Sequence, residues 1–196
     1  KRGDWILTWG MLNIGVNGGV GAFTNEAGSV GVWRNADGNK WQSGSTVKVG
    51  NGGTGYLTIN GGSVQVFNAF LAGCNKGDVA HITINNDGRL VFDCGGHAEL
   101  HSNFELGSAA DSTVYFTQNG GRVEIEDTVN TYAGRQGACN MYLNGGTFVT
   151  RQIFSDSGKG VVIFNGGTLK VNGSYNEWGG ILGNPNRPVV KVGHNG

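Results

Sequence analysis

Apolar and polar residues alternate in short paired runs along most of this chain. AFTNEAGSVGV (22–32), YLTINGGSVQV (56–66), HITINNDGRLVF (81–92), YFTQNGGRVEI (115–125), MYLNGGTFVT (141–150) and VIFNGGTLKV (162–171) share one plan. Each is an alternating run, a turn built on Asn-Gly-Gly or a relative, and a second alternating run. A period of two puts one set of side chains on a buried face, so these runs predict β-strands. A third short segment ending near glycine precedes the units: LNIG (12–15), VKVG (47–50), FLAG (70–73), FELG (104–107) and TYAG (131–134), with IFS (153–155) and ILG (181–183) as looser fits. No segment shows a helical period or helix caps.

The turn glycines Gly28, Gly62, Gly88, Gly121, Gly146 and Gly167 fall 34, 26, 33, 25 and 21 residues apart. A propeller blade needs four strands and about 40 residues, so these intervals are too short. Three short strands per repeat with uneven repeat length predict an all-β, right-handed, single-stranded parallel β-helix of about six to seven coils. Alternation should send Val64 and Val66, Leu90 and Phe92, Val123 and Ile125, and Leu169 and Val171 into a continuous core. Asn60, Asn86, Asn119, Asn144 and Asn165 fall at matching turn positions and should bond to one another along the axis. The apolar opening DWILTWGM, with Trp5 and Trp9, is expected to close the first coil.

Composition narrows the function. There are 14 basic and 14 acidic residues among 196, a net charge of zero. Nucleic acid and anionic membranes select a basic face, so neither is expected as a partner. Glycine reaches 38 residues, but 38% of the chain is hydrophobic, too much for a disordered one, so the glycines are assigned to turns. No apolar run approaches the roughly 18 residues of a membrane helix. Cys74, Cys94 and Cys139 lack the CxxC spacing of a zinc knot. They fit three free thiols, or one bridge and one thiol. Residues 1–196 read as one module, excised from a larger multidomain protein.

Insertions concentrate in one slot of the repeat, between the run after Gly-Gly and the next short segment. Residues 33–46, 93–103 and 172–180 fill it, whereas Phe67–Asn68, Arg151–Gln152 and Asp127–Asn130 leave it short. Insertions at equivalent points of a solenoid share one side. With strands about 4.8 Å apart, five steps span on the order of 24 Å, room for several sugars of an extended glycan. Trp33, Trp41, Tyr132, Tyr175 and Trp178 offer ring faces to pyranose C–H groups. Asn35, Asp37, Lys40, Glu99, Arg151 and Asn176 offer hydrogen bonds to hydroxyls.

Other motifs carry less. His97, Glu99 and His101 of HAELH point the same way on an extended segment and suit a metal, although the spacing is not the helical HExxH. Asp93, Glu99, Glu124, Glu126 and Asp127 are the candidate carboxylates for a lyase or glycosidase, and a structural calcium is the one cofactor they leave open. Asp78, Asp111 and Asp156 fall in turns on another side, where they suit turn bonding. GNGGTG (50–55) leads into a strand rather than a helix, which argues against a phosphate loop.

The run VGNGGTGYLTINGGSVQV (49–66) resembles the β-helical repeats of autotransporter passengers and related bacterial surface proteins. As a compact, uncharged, aromatic-decorated β-helix of this length, the chain also looks like the β-helical carbohydrate-binding modules of bacterial xylanases (family 89). That resemblance implies non-catalytic binding of xylan beside a catalytic domain in the same polypeptide. A secreted monomer without a cofactor is the expectation. It transfers no site residues. The other function classes open to the sequence are a β-helical polysaccharide lyase or glycoside hydrolase, and a bacterial surface adhesin segment.

Overall fold

The computed structural model describes residues 5–8, 10–33, 46–93, 103–157, 159–172 and 189–192, with only the backbone of Trp5–Thr8, Trp33 and Val189–Val192. Strand β1 (Trp5–Thr8) comes first. Coil one then runs through β2 (Met11–Val16), β3 (Val20–Asn25) and β4 (Ser29–Trp33), and coil two through β5 (Thr46–Asn51), β6 (Thr54–Ile59) and β7 (Ser63–Val66). Coil three has β8 (Ala69–Ala72), β9 (Val79–Ile84) and β10 (Arg89–Phe92), and coil four β11 (Asn103–Leu106), β12 (Thr113–Gln118) and β13 (Arg122–Ile125). Coil five has β14 (Asn130–Ala133), β15 (Ala138–Leu143) and β16 (Thr147–Thr150). Coil six has β17 (Ile153–Phe154), β18 (Gly160–Phe164) and β19 (Thr168–Val171), and β20 (Val189–Val192) follows.

Equivalent strands stack in parallel into three sheets. Sheet 1 is β2-β5-β8-β11-β14-β17, sheet 2 is β3-β6-β9-β12-β15-β18-β20, and sheet 3 is β1-β4-β7-β10-β13-β16-β19. The chain visits sheets 1, 2 and 3 in turn, which is a parallel β-helix. Period-two patterning sets this arrangement. In β9 and β15 burial alternates residue by residue, half-buried then buried. Register places the inward residues in columns such as Val64, Leu90 and Val123, all without exposed surface. Phe70 and Phe104 from sheet 1, Phe92 and Phe148 from sheet 3 and Phe116 from sheet 2 fill the middle of the core. The phenyl rings of Phe70 and Phe104 stack at 4.8 Å, while those of Phe116 and Phe148 meet edge to face at 5.8 Å. Of the residues expected in this core, Leu169 is only half-buried and Val171 is 52% exposed, because β19 ends sheet 3.

The asparagine ladder forms at the corner between sheets 2 and 3, with one change of residue. Asn60 donates to Glu26 at 3.0 Å, Asn85 to Asn60 at 2.9 Å, Asn119 to Asn85 at 2.8 Å, Asn144 to Asn119 at 2.8 Å and Asn165 to Asn144 at 2.8 Å. Asn85, not Asn86, takes the third place. The turn of coil three is one residue longer, and Asn86 supplies the positive φ (49°) that Gly62 (69°) supplies one coil earlier. Gly88 is therefore not the left-handed residue of its turn. Asn119→Ala removes two of these bonds and is expected to lower stability by about 1–2 kcal/mol in a urea melt. Asn86→Ala should leave the ladder bonds in place.

Two buried amides brace the same corner and were not anticipated. Asn25 and Gln118, both without exposed surface, stand in an inward column beside Ile59, Ile84 and Leu143. Gln118 Nε2 donates to the carbonyls of Gly120 at 3.2 Å and Thr147 at 3.1 Å, and Asn25 Nδ2 to those of Gly28 at 3.3 Å and Ser63 at 3.2 Å. These bonds tie each turn to the first residue of the sheet 3 strand in the following coil, Ser63 of β7 and Thr147 of β16.

Candidate functional site

The corner between sheets 3 and 1 takes the two longest connections within the six coils. The chain leaves β4 at Trp33 and re-enters β5 at Thr46, and it leaves β10 at Phe92 and re-enters β11 at Asn103. At the same corner, two residues join β7 to β8 and β16 to β17, and four join β13 to β14. The corner is well supported, because sheet 3 pairing continues past the strand ends. Asp93 N–H donates to Val66 at 3.0 Å, Glu126 N–H to Phe92 at 3.0 Å and Asn172 N–H to Thr150 at 3.1 Å.

An open groove of about 380 Å³ lies there, lined by Val91, Asp93, Glu124, Glu126, Asp127 and Asn172 among others. Asn172 Nδ2 donates to the Ile125 carbonyl at 2.9 Å, and its buried Oδ1 has no hydrogen-bond partner among the described residues. The lining is polar and acidic, with an apolar floor from Val91 and Ile125. Arg151 lies half-buried in the turn of the next coil.

Electrostatics at this groove oppose acid catalysis by Glu124. Its carboxylate accepts from Arg122 Nε at 2.9 Å and from a terminal guanidinium nitrogen of Arg122 at 3.2 Å, with Arg89 at 3.7 Å. The hydrogen bonds from Arg122 hold the Glu124 carboxyl below the usual range. A glycosidase acid needs the opposite shift, so that it keeps a proton to give. Asp93 and Glu126 also have interaction partners. Among the described residues, no group of three or more His, Cys, Asp or Glu is placed to hold a metal ion.

Of the residues expected to contact sugar, Trp33 is placed by its backbone at the end of β4, on this corner. Asn35, Asp37, Lys40, Trp41, Glu99, Tyr175, Asn176 and Trp178 lie outside the described residues, as do His97 and His101. Tyr132 sits elsewhere: it is in β14 and points out of sheet 1, 9% exposed. One neighbour of its ring is Phe154, stacked at 5.6 Å, and another is the Arg135 guanidinium, 4.1 Å above the ring centre. Arg135 also pairs with Asp156 and lies 3.8 Å from Glu105, whose other oxygen accepts from Ser108 at 2.6 Å. Tyr132 thus belongs to a packed charge-and-ring cluster, not to the loop row. Asp78 and Asp111 hold turns between sheets 1 and 2, as their spacing suggests. Asp78 accepts from the N–H of Gly52 at 2.9 Å and of Asn75 at 2.7 Å, and Asp111 pairs with Lys76 at 3.6 Å.

Sequence reading missed an aromatic row on sheet 2. Tyr56, His81 and Tyr115 align in register, with ring centres 4.6 and 5.0 Å apart and interplanar angles of 6° and 14°. The rings cover one another's faces, so the row presents edges to solvent rather than platforms for sugars. Their matching places in YLTI, HITI and YFTQ were the available signal. Cys74 and Cys139 are free thiols. Burial pushes the Cys74 thiol up to about 12 against the opposing charge of Lys48, and burial also raises that of Cys139, so neither is poised as a nucleophile. Cys94 lies outside the described residues.

No family model, no curated protein and no solved structure matches this chain.

Proposed function

We propose that this solenoid is a non-catalytic carbohydrate-binding module that holds a plant cell-wall polysaccharide, xylan first among candidates, along the corner between sheets 3 and 1. The observation that carries this reading is that the two longest connections within the six coils, after β4 and after β10, leave from one in-register corner, which also holds a groove lined by polar side chains. Function concentrates in loops positioned by a rigid scaffold. Here the scaffold repeats about every 4.8 Å, a spacing suited to a polymer of regular units. Zero net charge suits a neutral or weakly acidic glycan. The ionised, arginine-bound Glu124 favours binding over hydrolysis. The resemblance to family 89 modules points the same way, and implies a catalytic domain in the same secreted polypeptide.

Affinity electrophoresis through gels containing xylan, cellulose, mannan or pectin tests the reading. Retardation is expected in xylan and is expected to weaken in Arg151→Ala. One lost hydrogen bond of about 1 kcal/mol is roughly a five-fold loss of affinity. Unretarded migration in all four gels would sink the proposal. Release of new reducing or unsaturated ends from xylan or pectin would replace it with a hydrolase or lyase.

A further inference from the structure

The two ends of the solenoid are unequal, and they complement each other. At one end, β1 carries sheet 3 one rung past β2 and β3, the outermost described strands of sheets 1 and 2. At the other, β20 carries sheet 2 one rung past β17 and β19, the outermost described strands of sheets 1 and 3. If the axis of one molecule is continued by a second in the same orientation, β1 of the second pairs beside β19 of the first. The same displacement puts β3 of the second beside β20 of the first. Both pairings are parallel, like every other pairing among the described strands. The shared rung then takes its sheet 2 strand from one molecule and its sheet 3 strand from the other.

Side chains at the ends support contact there. Among the described residues, six large hydrophobic side chains are exposed, and four are terminal: Met11 at 57%, Val16 at 41% and Val20 at 76% at one end, and Val171 at 52% at the other. Coil one also opens into a recess of about 270 Å³ lined by Leu12, Ile14, Val16, Val20 and Phe23 with glycines. Unpaired strand edges beside apolar surface are templates for another strand. The geometry points to a head-to-tail interface whose partner is a second copy of this chain. Such a contact joins two different surfaces and does not close on itself, so it builds rods rather than a fixed dimer.

Register makes the interface specific. Tyr56 aligns with Ala22 on one side of sheet 2 and, through His81, Tyr115, Asn140 and Val161, with Val189 on the other. Ala22 of one molecule should therefore face Val189 of the next at about 4.8 Å, within disulfide reach. Sedimentation velocity of the 196-residue chain is expected to show a mass that rises with concentration. Val20→Lys should weaken association at least ten-fold while the circular dichroism spectrum stays unchanged, since Val20 is the most exposed of the terminal apolar residues. Oxidised Ala22→Cys/Val189→Cys protein should give a ladder of linked multimers that either single variant does not give. A monomer at the highest soluble concentration, or association that Val20→Lys leaves intact, overturns the inference. Neither result bears on retardation in xylan.

Discussion

Phe104→Ala is expected to destabilise the solenoid by about 3–5 kcal/mol, read as a shift of the urea unfolding midpoint. Phe104 has no exposed surface, its ring stacks on Phe70 at 4.8 Å, and it meets Phe92 at 6.3 Å and Phe116 at 6.4 Å edge to face. It therefore ties all three sheets together across coils three and four. The cavity left by alanine has little room to collapse, because the strands around it are held by pairing on both sides. Adjacent coils depend on one another in a solenoid, so the loss should spread beyond coil four. A loss below about 1 kcal/mol would mean that the aromatic core is not continuous there.

Gly62→Ala is the second large effect. Gly62 has φ +69°, and an added Cβ would lie 2.0 Å from the carbonyl oxygen of Gly28 and 2.7 Å from its nitrogen. Both atoms are backbone of the neighbouring coil, so the clash is relieved only by parting coils one and two. Gly77 is the control: its φ is +79°, but its Cβ would meet nothing within 4 Å. Gly77→Ala should cost only the left-handed backbone strain, about 1–2 kcal/mol. Gly62→Ala should cost at least twice that, or prevent folding. Equal midpoints for the two variants would contradict the close stacking at this corner.

Most of the fold could be read from the sequence because one physical rule recurs. Alternation fixes which face of each strand is buried, and parallel stacking repeats the rule coil after coil. The reading went astray where neighbouring residues compete for one role. In NNDG, either asparagine can bond along the ladder. The extra residue of the turn decides for Asn85, and turn length is not encoded in residue type alone. Asn25 and Gln118 look like strand ends in the sequence, yet they are buried, with bonds to carbonyls of their own turn and of the next coil. Tyr132 looked like a loop aromatic because it lies next to a connection. Its place in β14, beside Phe154 and under Arg135, depends on residues from two other segments. The corner that gathers the insertions was readable, since insertion length is a property of the sequence. The groove was readable only in part: Asp93, Glu124, Glu126 and Asp127 stood out as carboxylates, whereas Asn172 is revealed by its bond to Ile125, 47 residues away.

The most direct measurement of the binding claim is backbone amide NMR during titration with a xylo-oligosaccharide. Shifts are expected at the corner between sheets 3 and 1, at Asp93, Glu126, Asp127, Arg151 and Asn172. Shifts confined to the Tyr56, His81 and Tyr115 row of sheet 2, or no shifts at saturating sugar, would contradict it.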